Sequence, residues 1–406
     1  MLQYFRYLLC FIAGIIVAIS VSLSSSETTL NPQHNADNQH DYDFSLLQDV
    51  IDTVELYYVN QVSRSELIKI AIDAIFEHLD PYSGFLNKQD FQSLNDTNKG
   101  EYFGFGFEVA TANGKITIVT PFASSPAAIA GIKPGDIITH FNELEVSESN
   151  LNDVLVSIKQ HSNQNQAIHI TVASNNNVEA RELTLSPSVI HLKSIETQVI
   201  NNVGYIHIAN FQQGAANAIL KQSIVWKELT LEGIVVDVRN NPGGLLDQAI
   251  SIADLFIDKG RIVSTQGRFF DANEDYYASN HHIFSSLPVV LLINKGSASA
   301  SEVLAAALQE NNRAVVIGES SFGKGTVQSI IPMLSQGNAI KLTIAKYTTP
   351  KGNDINEIGI VPDIKINFNT LSTLKTVPII NQNKNDIQQL DPQLNYAINW
   401  ISQNNN

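Results

Sequence analysis

The sequence predicts a multidomain chain of mixed class, helical at its front, strand-rich α+β in its middle and α/β over its second half. Three observations carry that expectation. Apolar residues recur at helical spacing over 44–95, and short strand-like runs broken by turn residues fill 103–187. From about 200 onward, buried-strand runs alternate with helical stretches. The length agrees, since 406 residues at about 150 per domain make two to three domains with real cores.

Composition removes several classes of function. At 44% apolar the chain is too hydrophobic to remain disordered, and no repeat of solenoid length recurs. Forty acidic residues against 25 basic give a net charge of −15, which argues against a nucleic-acid surface, because such a surface needs a basic footprint to displace counterions. Cys10 is the one cysteine, so there is no internal disulfide and no cysteine-built metal site. The ten histidines are scattered apart from His281-His282, and none falls at metal-ligand spacing. No metal or other cofactor is expected.

At the front, Arg6 precedes an uncharged, mainly apolar run from Tyr7 to Leu23. Its length lies between a signal-peptide core and a minimal membrane span of about 20 residues. Residues 1–25 therefore read as a signal peptide or a membrane anchor. Either exports the rest of the chain to a periplasmic or other extracytoplasmic space. Val21-Ser22-Leu23-Ser24 is a poor cleavage site, and Cys10 does not follow a small residue, so lipid attachment there is disfavoured. Residues 26–43 read as a polar spacer.

The exported elements come in order. Residues 44–102 form a helical region, with Leu46, Leu47, Val50, Ile51 and Val54 on one stripe and Leu67, Ile68, Ala71, Ile72 and Ile75 on a second. Asp80-Pro81-Tyr82-Ser83-Gly84 ends the second helix. In 103–187 strands are expected at 105–109, 116–119, 137–141, 168–172 and 182–185, with helical pieces at 126–130 and 151–159. In 188–370 strands are expected at 203–208, 234–238, 289–293, 314–317 and 340–347, and helices at 246–257 and 300–310. That alternation predicts a mainly parallel sheet with its site at the carboxyl ends of the strands. Residues 371–406 are rich in Asn and Gln, with a short apolar segment at 394–401, and read as a peripheral polar tail.

Four segments could carry chemistry. Gly104-Phe105-Gly106-Phe107 places two glycines before a strand, where backbone N–H groups can converge on a chain-terminal carboxylate. Leu151, Val154, Leu155 and Ile158 would wall such a site. On spacing alone the glycine pair is a weak signal, and a plain turn explains it better. In the α/β part, Ser297-Ala298-Ser299-Ala300-Ser301-Glu302 follows a buried strand and opens a helix. Ser299 with Glu302 fits a capping box, but a nucleophile at a strand-to-helix turn looks the same, and both readings stay open on this segment.

A serine needs a base, and no histidine presents itself. Lys324, flanked by glycines, could serve if an apolar pocket pushed its pKa from about 10.4 towards 7, a shift of roughly 4–5 kcal/mol. Gly318-Glu319-Ser320-Ser321-Phe322-Gly323-Lys324-Gly325 also nearly fits a phosphate loop. It lacks the Ser or Thr after the lysine, and a strand rather than a helix is expected next, so that reading is rejected. Asp237-Val238-Arg239-Asn240-Asn241-Pro242-Gly243-Gly244 follows another buried strand and is either a turn or a donor of N–H groups to the site.

Two resemblances organise these pieces. With Ala130-Gly131-Ile132-Lys133-Pro134-Gly135-Asp136, residues 103–187 resemble a PDZ domain, which implies capture of carboxyl-terminal peptide tails by Gly104, Phe105, Gly106 and Phe107. Most of 44–365 resembles the carboxyl-terminal processing peptidases, or tail-specific proteases. The segments that carry this are 236–245, 296–302, 318–328 and Gly359-Ile360-Val361-Pro362-Asp363. The resemblance implies a crotonase-like (ClpP-like) α/β peptidase core at 188–370. It also implies Ser299 as nucleophile, Lys324 as general base, Gln328 as the residue orienting it, and the amides of Gly244 and Ala300 as the oxyanion hole. The implied reaction is acyl transfer on exported proteins with exposed tails, gated by the PDZ-like module. Partners would be those substrates, an adaptor or regulatory protein, the membrane through the leader, and further copies of the chain. The rival readings are a non-catalytic PDZ scaffold on an inactive core, and a crotonase-type lyase, for which no acidic site residue stands out.

Overall fold

The computed structural model describes residues 35–404 apart from 113, 123, 175–179, 280–282, 285, 334–336 and 367–390. The leader lies outside the described residues, and no helix among them is long and apolar enough to cross a membrane. The chain divides into two compact units, Met1–Ile75 and Phe76–Asn406.

The first unit holds α1 (Asn35–Tyr57) and most of α2 (Arg64–Leu79). Helix α1 starts inside the stretch read as a spacer, because no Pro or Gly lies between Asn35 and Phe44 to stop it. Arg64 binds Asp52 and Glu55.

In the second unit, β1 (Gly84–Leu86), α3 (Lys88–Asn98) and β2 (Glu101–Gly104) lead into the middle module. Its sheet runs β3 (Phe107–Ala112), β4 (Lys115–Pro121), β5 (Ile137–Phe141), β7 (Ile168–Ala173), β8 (Arg181–Leu185), with β6 (Leu144–Glu145) beside β5. Helices α4 (Pro126–Ile129) and α5 (Leu151–Asn163) complete it around a core that includes Phe105, Ile116, Ile138, Val154 and Ile170. β3 is an edge strand of this sheet. β9 (Ser188–His191) then returns antiparallel to β2, so the module hangs on a two-stranded ribbon.

The core module is built on a six-stranded sheet of β10 (Ile195–Ile200), β11 (Val203–Ile208), β12 (Gly233–Asp237), β15 (Val289–Ile293), β16 (Val315–Gly318) and β19 (Ile364–Lys365). From β11 to β19 neighbouring strands are parallel. Period-two alternation sorts their side chains between two faces. Ile234, Val236, Leu291 and Ile293 meet residues of α6 (Ala215–Trp226), α7 (Leu246–Asp254) and α8 (Ala300–Glu310). Val235, Val290, Leu292 and Ile317 meet α9 (Pro392–Asn404). For Pro392–Asn404 this corrects the sequence reading of a peripheral tail; 371–390, read the same way, lie outside the described residues. Leu394, Ala397, Ile398 and Ile401 fall on one helical stripe and are buried, so α9 covers the second face of a sheet that is apolar on both. A second sheet joins β13 (Arg261–Gly267), β14 (Glu274–Tyr277), β17 (Thr326–Pro332) and β18 (Ala339–Thr348), with β1 added to β18.

Candidate active site

The carboxyl ends of β12, β15 and β16 release three loops that touch. Asn241, fully buried, ties two of them: its carbonyl accepts the Ala298 N–H at 3.0 Å, and its side-chain oxygen accepts the Gly243 N–H at 2.9 Å. Gly243 and Gly244 have φ of 111° and 139°, values that L side chains rarely adopt. A Cβ on Gly243 would stand 2.9 Å from both the Ala298 oxygen and Ser299 Cβ. The Pro-Gly-Gly turn therefore lies directly against the start of α8.

The three serines of that segment are not equivalent. Ser297 donates its hydroxyl to the Val238 carbonyl at 2.7 Å, and Ser301 donates to the Asn241 carbonyl at 2.9 Å. Both are fully buried fasteners. Ser299 is half-buried, and its hydroxyl sits beside the Tyr347 phenol. Its backbone, at φ 57° and ψ −114°, is in a region that costs about 1–3 kcal/mol for a non-glycine residue and persists only where neighbours enforce it. Glu302 does so: its Oε2 accepts the Ser299 N–H at 2.8 Å, while the Ser299 carbonyl accepts from Glu302 N at 2.8 Å and Val303 N at 3.0 Å. The cap and the strained serine are thus one arrangement. Among the described residues, no hydrogen bond engages the N–H of Ala300 or of Gly244, which leaves both free for a ligand oxygen.

Glu302 is fully buried and reaches further. Its Oε1 accepts from Ser321 Oγ and Gly323 N, each at 2.6 Å, and its Oε2 also accepts from Lys324 N at 2.9 Å. One carboxylate therefore fixes the backbones of both Ser299 and Lys324. The loop continues into strand β17 rather than a helix, as expected once the phosphate-loop reading is set aside. Tyr347 on β18 donates its hydroxyl to the Lys324 carbonyl, and burial pushes its phenol well above the ordinary value, so it stays protonated.

The Lys324 ammonium lies 4.6 Å from the centroid of the Tyr82 ring. Among the described residues it is hydrogen-bonded neither to Ser299 nor to Gln328. Burial lowers its pKa, Lys341 lowers it further, and Glu302 and Asp80 pull the other way. Gln328 spends its amide on Thr326 Oγ1 at 2.9 Å and Thr343 Oγ1 at 3.3 Å. Ser299, the amides of Ala300 and Gly244 and the Lys324 loop are thus brought together by backbone, while the side chains of Lys324 and Gln328 are held elsewhere.

At the end of β12, Asp237 receives the Tyr205 hydroxyl at 2.8 Å and pairs with Arg239 at 2.5 Å. Burial pushes the Asp237 carboxyl up, but the guanidinium outweighs it and holds the carboxyl below its usual value. Arg239 continues to Asp391 at 2.7 Å and Gln393 at 2.9 Å, pinning the start of α9. No cluster of three or more His, Cys, Asp or Glu side chains among the described residues is placed to hold a metal ion.

In the middle module, Gly104 closes β2, Phe105 and Gly106 form the loop, and Phe107 opens β3. The Phe105 carbonyl accepts from Ala127 N, and the Gly106 carbonyl accepts from Phe122 N and Ser125 Oγ. No hydrogen bond among the described residues engages the N–H groups of Phe105 and Gly106. Half-buried Leu151, Leu155 and Ile158 of α5 pack against the module's core, as do Phe107 and Val109 of β3.

Sequence reasoning took Glu302 only for a cap and left Tyr347, Thr343, Asp80 and Tyr82 without a role. Asp80 and Tyr82 lay in a motif read as a helix stop; Thr343 and Tyr347 carry no local signal, since they arrive from β18 through sheet pairing.

Residues 202–366 match the model of peptidase family S41, and residues 102–185 match a PDZ domain. Over 366 residues the chain is 35% identical to a carboxy-terminal-processing protease of Bartonella bacilliformis, covering 89% of this chain and 82% of that protein. Over 367 residues it is 32% identical to a protein named as a CtpA-like serine protease of Staphylococcus epidermidis, covering 90% and 72%. A solved Bacteroides fragilis structure described as an S41 protease superposes with a TM-score of 0.56 at 16% identity, over 82% of this chain and 90% of that one, a likeness of fold.

Proposed function

The chain belongs to peptidase family S41, the carboxy-terminal-processing serine proteases, and on that premise we propose that it cleaves exported proteins near their carboxyl ends with a Ser299–Lys324 dyad. Lys324, as a neutral amine, accepts the Ser299 proton while Oγ attacks the scissile carbonyl carbon. The N–H groups of Gly244 and Ala300 hold the resulting oxyanion. Lys324 returns the proton to the leaving amine, then draws one from the water that hydrolyses the acyl-enzyme. The ammonium must leave the Tyr82 ring for this, and Gln328 takes over its orientation once it has moved.

The observation that carries the reading is the contrast between the serines. Ser297 and Ser301 are committed to buried carbonyls, whereas the half-buried Ser299 hydroxyl donates to no backbone carbonyl among the described residues and sits beside the Tyr347 phenol, in a strained turn with two unused amides alongside. Ser299→Ala and Lys324→Ala, each assayed on a tail-exposed protein, are expected to lose cleavage while keeping wild-type melting temperature. Retained cleavage in either overturns the dyad.

The PDZ domain captures the substrate's terminal carboxylate at Gly104, Phe105, Gly106 and Phe107, pairs the tail with the open edge of β3, and couples capture to assembly of the dyad. Unchanged tail selectivity after deletion of 103–187 would refute this. The leader exports the enzyme or anchors it to the membrane, where an adaptor or a second copy joins it. Fractionation with and without residues 1–25 tests that part.

A further inference from the structure

The turn Asp80-Pro81-Tyr82-Ser83 grips both residues that would assist Ser299. Its own shape comes from one carboxylate: Asp80 Oδ1 accepts the N–H groups of Tyr82 and Ser83 at 2.8 Å each, and Oδ2 accepts the Ser83 hydroxyl at 2.8 Å. From there two connections reach the site. Ser83 Oγ accepts the Thr343 N–H at 3.1 Å, and the Thr343 hydroxyl donates to Asp80 Oδ1 at 3.2 Å. With its one proton so used, Thr343 Oγ1 is an acceptor, and it receives the Gln328 amide. The second connection is the Tyr82 ring, whose face takes the Lys324 ammonium.

We propose that this turn is the seat of the general base, in which the Tyr82 ring holds Lys324 while it is charged and Thr343 holds Gln328 until the amine is released. The inference rests on Lys324 being the base. A ring face attracts a cation through its quadrupole and has no comparable hold on a neutral amine. The seat therefore favours the protonated, idle lysine, and loss of the proton loosens it. Charged groups facing Lys324 from the surrounding elements are Lys341 on β18, Glu302 on α8 and Asp80 in the turn itself. None of them is hydrogen-bonded to the ammonium among the described residues. The carboxyl of Asp80 is pushed up by burial, but the Ser83 hydroxyl, the two amides and Thr343 outweigh this and hold it below its usual value, so the turn keeps its shape at working pH.

The test is the pH profile of kcat/KM on a tail-exposed substrate, with the full chain. Tyr82→Leu removes the face that stabilises the ammonium, so the pKa of Lys324 falls and the acid limb moves to lower pH, by about half a unit to one unit. Tyr82→Phe keeps a face and leaves the limb where wild type has it. Tyr82→Trp, the strongest face, moves it upward and serves if the Leu variant does not fold. Thr343→Val lowers kcat by about tenfold or less with KM unchanged. A limb unmoved in Tyr82→Leu, or moved equally by Leu and Phe, overturns the seat while leaving an inactive Lys324→Ala, and so the dyad, intact. Full activity in Lys324→Ala overturns both.

Discussion

Replacing Glu302 with Gln removes a charge and almost no volume, yet the hydrogen-bond pattern leaves the amide no good orientation. Oε2 receives two backbone N–H groups, from Ser299 and Lys324; Oε1 receives the Gly323 N–H and the Ser321 hydroxyl. An NH₂ group on the first side faces two donors. On the second side it faces Gly323, and Ser321 can turn its lone pairs only by giving up its present bond. Each buried donor left without an acceptor costs about 1–3 kcal/mol, so the better orientation still costs about 2–4 kcal/mol. That orientation keeps the Ser299 and Lys324 N–H groups bonded and releases Gly323 N–H and the Ser321 hydroxyl, which shape the loop carrying Lys324, so kcat should fall more than stability alone requires. Chemical denaturation of Glu302→Gln beside wild type measures the first quantity, and cleavage at a temperature where both are fully folded measures the second. A variant within about 0.5 kcal/mol of wild type and with unchanged kcat would refute the role assigned to this carboxylate.

Three further outcomes are expected. Lys341→Met removes a repulsive charge from Lys324, raising its pKa and moving the acid limb of activity upward by less than about one unit, as a pH–rate series will read. Arg239→Met strands the buried Asp237 and costs about 3–5 kcal/mol near neutrality. In wild type that carboxyl, held low, contributes stability above its unfolded value near about 3.9 and loses it as pH falls through the lower folded value, so the gap between the two melting curves should narrow below about pH 4. Gly106→Ala places a Cβ 2.1 Å from Ser125 Cβ at a φ of 83°, and should weaken binding of a free-carboxylate tail peptide about tenfold, measured by fluorescence anisotropy.

Legibility in the sequence followed locality. The strands at 234–238 and 289–293 were plain because a parallel sheet covered on both faces needs uninterrupted apolar runs, and α8 was bounded by its own capping pair. β10, β13 and β14 were not read, since half-buried strands with polar faces lack that signal. Helix α9 carries a stripe at Leu394, Ala397, Ile398 and Ile401, but the Asn and Gln residues around it mask that stripe in the composition of the segment. At the site, Ser299 and Lys324 stood out through the family resemblance. The groups gripping them could not, because Thr343 and Tyr347 come from a strand whose partners are set by sheet register, and Tyr82 from a turn far earlier in the chain.

The ribbon of β2 and β9 has an architectural consequence. Gly104 and Ser188 are opposite rungs of one ladder, so the chain leaves the core and comes back at points about 5 Å apart. Everything between them is a cassette. A short hairpin could bridge those rungs without stretching the sheet scaffold behind them, and a foreign module could be grafted between them. The PDZ module and the peptidase core in this architecture are therefore free to diversify on separate schedules.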